Sequence, residues 1–133
     1  MRLLSFTATA VLIVASQPAL ARDRSKPPVL LGSVADWLGP MSYPPAALRE
    51  GAEGRVSVAL GIDAGGLVTD CRVLSSSGYT SLDVATCSLA KHRARFAPAR
   101  DHHGKPVAST YMLPTIRWQM PHDPLPPAAP PGV

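Results

Sequence analysis

The chain has 133 residues, 46% of them hydrophobic, and a formal charge of +4. That length allows one small domain, and so mild a basic excess gives no argument for nucleic acid. Two cysteines and 15 prolines are the compositional features that a reading must account for.

The chain opens MRLLSFTATAVLIVASQPALA. Arg2 supplies a positive start, Leu3 to Ala15 is apolar and uncharged, and Ala19-Leu20-Ala21 has the small-x-small form that signal peptidase cuts. We read residues 1–21 as a signal peptide, with cleavage between Ala21 and Arg22. The alternative is an uncleaved inner-membrane anchor facing the periplasm, although the apolar run is shorter than the roughly 20 residues a spanning helix needs. Export sets a periplasmic, oxidising compartment, where two cysteines are expected to pair. Loss of Arg2 lowers the charge from +4 to +3.

Residues 22–42 form a proline-containing leader, expected to be extended or disordered, with Val29, Leu30, Leu31, Trp37 and Leu38 as residues able to pack on the domain. The patterned region, 43–120, follows. Pro44 and Pro45 suit a first helical turn, Ala46 to Glu50 favour helix, and Gly51 can end it. Val56, Val58, Leu60 and Ile62 then alternate with Ser57, Ala59 and Gly61, which is the period of a strand with one apolar face. A DAGG turn leads into LVTDCRVL, where Leu67, Cys71 and Val73 share a parity, so the two runs predict an antiparallel hairpin.

SLDVATCSLAKHRARF reads as a second helix, with Ser81 as N-cap, Asp83 in the first turn, and Lys91, His92, Arg93 and Arg95 near its end as a solvated basic terminus. A loop through Pro98 and His103-Gly104 precedes a last strand over about Val107 to Trp118. Pro114 interrupts that strand and predicts a sheet edge or a bulge. The order is α-β-β-α-β: an α+β domain with two helices on one face of a three-stranded antiparallel sheet. Residues 121–133, PHDPLPPAAPPGV, have almost nothing to bury and are expected to be a disordered tail.

The cysteines bracket CRVLSSSGYTSLDVATC. If the second helix packs antiparallel on the second strand, Cys71 lies ~10 Å back from the strand end at Leu74. Cys87 lies ~7.5 Å into the helix from Leu82. The sulfurs then share a level, and a Cys71–Cys87 disulfide is expected. Zinc needs about four ligands, and no CxxC or HxxxH is present. Neither cysteine has the neighbouring base of a catalytic thiolate. Ser75 to Ser77 lack a G-x-S-x-G elbow, GIDAGG lacks the lysine of a phosphate loop, and His102-His103 stand in a turn without further patterned ligands. No catalytic residue, metal ligand or cofactor site is read, and no enzyme.

The ordered features Tyr43-Pro44, Glu53-Gly54 with Val56 and Val58, Gly66 with Val68, Ser76-Ser77-Gly78, Leu82-Asp83, Arg95-Phe96 with Pro98-Ala99, and Gly104 with Pro106-Val107 resemble the C-terminal domain of TonB proteins. That family has the element order derived above. The resemblance implies a binding domain in energy-coupled transport, which engages the extended TonB box of an outer-membrane receptor by adding it beside the last strand. By position the partner strand would carry Val107, Ser109, Tyr111, Leu113, Ile116 and Trp118. Full transducers keep an N-terminal membrane helix with an intramembrane histidine and a long proline-rich spacer. Here the apolar segment has no histidine, and the Gln-Pro pair before Tyr-Pro is replaced by Met41-Ser42. An inner-membrane proton-channel complex is implied as partner only if residues 1–21 remain as an anchor. Another envelope protein, or self-association through an exposed edge strand, is the alternative to a receptor.

Overall fold

The computed structural model describes residues 22–39 and 42–120, so Ala21 and the tail from Pro121 lie outside the described residues. The leader packs onto the domain. Arg24 and Lys26 donate their N–H groups to the carbonyls of His102 and Arg100 at 3.1 and 3.0 Å. Strand β1 (Val29–Leu31) pairs antiparallel with Arg95–Ala97. Helix α1 (Val34–Trp37) follows, with Ser33 N–H donating to the Asp36 carboxylate at 2.6 Å, and it buries Trp37. Pro27 and Pro28 fall between the two paired stretches, so neither ladder loses a donor it uses.

Helix α2 (Pro45–Glu50) begins on proline and ends at Gly51, whose φ of 65° is left-handed. Strands β2 (Gly54–Ile62) and β3 (Val68–Ser75) form the expected hairpin, and Val56, Val58, Leu60 and Ile62 are all buried. Its turn closes on Asp63, which accepts N–H bonds from Gly65 and Leu67 at 2.9 Å each. Gly66 has φ 82°, and a Cβ there would lie 1.9 Å from the Phe96 carbonyl oxygen. Only glycine allows that approach. Parity in β3 differs from the simple alternation. Val68 is buried and Leu67 is 47% exposed. The register shift between Gly61 and Ile62 leaves Thr69 unpaired, so Val68, opposite Ile62, and Cys71, opposite Leu60, come to one face.

Helix α3 (Thr80–Arg93) is capped at Tyr79, two residues before the expected Ser81, because the Tyr79 carbonyl accepts the N–H groups of both Leu82 and Asp83 at 3.1 Å. It stops before Phe96. Strand β4 (Arg95–Ala97) pairs there with β1, Phe96 N–H donates to Gly66, and the Phe96 ring packs on Tyr111 at 4.9 Å. Burial and strand pairing of Phe96 outweigh another helical turn. The following loop contains a small ribbon, β5 (Ala99–Arg100) with β6 (Pro106–Val107). The chain then runs back along β2 as β7 (Ser109–Met112) and β8 (Ile116–Trp118).

The α-β-β-α-β order is thus present as α2, β2, β3, α3 and the broken strand β7–β8. The sheet has β2 at its centre, β3 on one side and β7–β8 on the other. α3 packs on the inner face, where Leu82, Thr86 and Ala90 join the β2 residues in one core. Cys71 and Cys87 form a disulfide with Cα atoms 5.6 Å apart, joining β3 to α3. Closure of so short a loop contributes about 3 kcal/mol in the chain-entropy model.

The serine cluster is held by Asp83. Its carboxylate accepts the Ser77 N–H at 2.9 Å, the Ser77 hydroxyl at 2.7 Å, and the Ser76 hydroxyl. Burial tends to raise this carboxyl, but the bonds from Ser76 and Ser77 outweigh it and hold the group below its ordinary value. A depressed folded-state value means that this stabilisation is full above about pH 4 and is lost as pH falls through the folded value. Asp83→Asn is therefore expected to lower stability by about 1 kcal/mol near neutrality. The difference from the parent should vanish in acid, as read from urea unfolding at a series of pH values. An unchanged difference at the most acidic pH would contradict the carboxylate's role.

Candidate partner-binding edge

The strand β7–β8 lies on β2 and leaves its other side without a strand neighbour among the described residues. In β7 the register runs from Ala59 opposite Met112 to Ile62 opposite Ser109. In β8 it runs from Val56 opposite Ile116 to Gly54 opposite Trp118. One extra residue is therefore taken up between them, at Pro114-Thr115, so the proline sits in a bulge. Thr115 and Ser57 close the bulge through their hydroxyls at 3.1 Å.

Backbone direction follows from one bond. Leu113 N–H donates to the Val58 carbonyl at 3.1 Å. Polar groups on successive residues of a strand point to opposite sides, so the N–H and C=O of Met112 and Thr110 point away from β2, toward the open edge. Pro114 has this same outward direction, and its missing N–H costs the sheet no bond.

The side chains divide by the same alternation. Leu113, Ile116 and Trp118 are buried in the core. Tyr111 is half-buried against Phe96, and Ser109 is partly buried opposite Ile62. Val107 belongs to the small ribbon and pairs with Ala99, outside the β2 ladder. Apart from Val107, the strand residues expected to meet the partner are thus the inward-facing set, held by the domain itself. The outward positions are Thr110, Met112 and Arg117, all exposed, with Met112 at 62%. A pattern of apolar residues finds the face turned to the core, and the exposed methionine on the other parity was the available signal for the second face.

Trp118 fixes β8 to the rest of the domain. Its Nε1–H donates to Thr86 Oγ1 at 2.9 Å, and the Thr86 hydroxyl donates to the Leu82 carbonyl at 2.9 Å. The Tyr43 ring meets Trp118 edge-on at 5.2 Å, and the Tyr43 hydroxyl donates to the Ala52 carbonyl. The Tyr43-Pro44 pair thereby positions both the start of α2 and the last strand. Burial, with the nearby Glu53 charge, raises the Tyr43 phenol above its ordinary value. Gly54, opposite Trp118, has no room for a side chain, since a Cβ would lie 2.7 Å from the Ser77 carbonyl oxygen.

A groove of about 290 Å³ lies between α1 and residues 114–118, walled by Val34, Ala35 and Leu38 on the leader side. The leader therefore supplies one wall of a mainly apolar channel beside β8. Unpaired backbone donors and acceptors next to an apolar groove suit an extended peptide, with main-chain bonds for affinity and the groove for its side chains. Among the described residues, no three His, Cys, Asp or Glu side chains converge to hold a metal ion, and no helix is long and apolar enough to cross a membrane.

A family model described as the C-terminal region of the Gram-negative bacterial TonB protein matches residues 39–120. Two curated proteins named Protein TonB, from strain B100 and a second strain of Xanthomonas campestris pv. campestris, are each 41% identical over 54 residues. The match covers 41% of this chain and 24% of each relative, so the aligned part spans about a quarter of the curated proteins' length.

Proposed function

The chain belongs to the family of Gram-negative TonB C-terminal domains, and from that premise we propose that it is a protein-binding domain of envelope transport. It captures an extended segment of an outer-membrane, TonB-dependent receptor by strand addition to β7–β8. The observation that carries this reading is the outward-facing backbone of Thr110 and Met112 on a strand with no outer neighbour among the described residues. The inward set, Leu113, Ile116 and Trp118, holds the edge in place, while Met112 and the groove beside residues 114–118 meet the partner's side chains. The domain works on the periplasmic side of the envelope. Cleavage after Ala21 makes it a freely diffusing adaptor, whereas a retained segment 1–21 makes it a short anchored transducer.

The test is a titration of isotopically labelled protein with TonB-box peptides, followed through backbone amide resonances. The largest shifts are expected at Thr110 and Met112, with smaller ones at Val34 and Leu38 across the groove. A bound peptide that leaves residues 107–118 unshifted would overturn strand addition at this edge.

A further inference from the structure

The molecule's charge is concentrated on one ribbon. Over residues 22–133 the formal charge is +3. Arg22, Arg24, Lys26, Arg100 and Lys105, with Asp23 and Asp101 among them, account for all of it, because the remaining seven basic and seven acidic residues cancel. The structure draws these residues together. Lys26 and Arg100 exchange backbone bonds, Lys26 N–H to Arg100 O at 3.0 Å and Arg100 N–H to Lys26 O at 2.8 Å, and Arg24 N–H reaches His102 O at 3.1 Å. The hairpin of β5 and β6 continues the ribbon to Lys105.

Register sorts the charges by face. Residues directly opposite in an antiparallel pair point to the same side. Lys26 opposite Arg100, Arg24 opposite His102, and Arg22 two residues on therefore share one face, while Asp23 and Asp101 fall on the other parity. The acidic groups are also engaged by the backbone: Asp23 accepts the Ser25 N–H at 2.8 Å, and Asp101 accepts those of His103 and Lys105 at 2.9 Å. The basic side chains are exposed, and Arg22, Arg24, His102 and His103 line a shallow cavity of about 180 Å³. Like charges placed directly opposite each other are unfavourable in an isolated sheet. An anionic surface laid on this face would remove that repulsion.

We propose that this cationic face docks on the anionic phospholipid headgroups of a bilayer. Charge complementarity selects an anionic surface, and where residues 1–21 are retained the position of the face in the chain makes that surface the membrane. Only residues 16–21 separate the apolar run Leu3–Ala15 from Arg22. At the strand rise those residues span at most about 25 Å, so whenever the apolar run lies in a membrane the face is held close to its surface. The site lies away from β7–β8, and it stands or falls independently of receptor binding. Docked there, the domain would be oriented on the membrane with the β5–β6 ribbon down.

The experiment uses the full chain, exported and purified with whatever N-terminus it matures to. Sedimentation is measured with vesicles of phosphatidylcholine alone and of phosphatidylcholine mixed with phosphatidylglycerol. Any retained apolar segment binds both, so the tighter binding to the mixed vesicles reports the cationic face. Arg22→Gln, Arg24→Gln and Lys26→Gln together are expected to weaken that increment about a hundredfold, at roughly fivefold per charge. Arg100→Gln should weaken it about fivefold, whereas Lys105→Gln, opposite Asp101 on the other parity, should change it little. Arg49→Gln, Arg72→Gln and Lys91→Gln, which remove the same charge elsewhere, should leave most of it. Circular dichroism checks that each variant is folded. No preference for anionic vesicles, equal losses from the two triple variants, or displacement by inorganic phosphate beyond that by chloride of matched ionic strength would each overturn the proposal. So would binding to a soluble anionic polysaccharide in place of the vesicles.

Discussion

Replacing Met112 by proline is expected to weaken capture of a receptor peptide roughly ten- to a hundredfold while the domain stays folded. Leu113 N–H is bonded to Val58, so the neighbouring Met112 N–H points to the open edge. Proline there removes a donor that the sheet does not use, which is the position where strands tolerate it. A bound peptide, by contrast, keeps a carbonyl with no partner, and an unmet group of that kind costs about 1–3 kcal/mol. Met112→Ala separates the backbone from the side chain: it keeps the N–H and loses only an exposed side chain, so a several-fold loss at most is expected. Leu113→Pro is the converse control, since it breaks a bond to β2 and should lower stability. Calorimetric titration with peptide, paired with thermal unfolding, reads both effects. Wild-type affinity in a folded Met112→Pro variant would mean that the partner does not pair with β7.

Trp118→Ala should cost about 3–5 kcal/mol of folding stability, the usual loss for a large aromatic removed from a core. Trp118 is 5% exposed, meets Tyr43 edge-on at 5.2 Å, and bonds Thr86 at 2.9 Å. It is thus the point where the last strand, the segment before α2, and α3 are tied together. Trp118→Phe keeps much of the apolar contact and loses only the indole bond, so about 1–2 kcal/mol is expected. Urea unfolding of both variants distinguishes the terms. A loss below about 1 kcal/mol for the alanine variant would mean that β8 frays independently of the core. The binding edge depends on the same residue, because β8 carries the groove wall opposite α1. Peptide affinity should therefore fall in Trp118→Ala even where most molecules remain folded.

Both results concern a strand whose two roles are separated by parity. Period-two alternation in β2 and the proline-to-glycine frame of α2 were readable because each depends on local geometry alone. The disulfide was readable because two rises, one per strand residue and one per helix residue, bring Cys71 and Cys87 to one level. Other features depend on what lies opposite. Leu67 and Val68 are equally apolar, and the unpaired Thr69 decides which of them faces the core. The helix could have run on to Phe96, but β1 and Gly66 capture that residue.

The amino-acid sequence by itself determined the α-β-β-α-β order of residues 43–120 and the family, which rest on spacings along the chain, and the cysteine pair once the helix packs antiparallel on its strand. Tertiary structure alone decided that the leader packs on the domain, that α1 walls a groove beside β8, and that the apolar half of the last strand turns inward. It also decided that Arg22, Arg24 and Lys26 meet Arg100 and His102 on one face. The physical reason is common to all of these. A register between distant segments is set by which hydrogen bonds and buried surfaces win in competition, and one segment's own sequence does not contain its competitor.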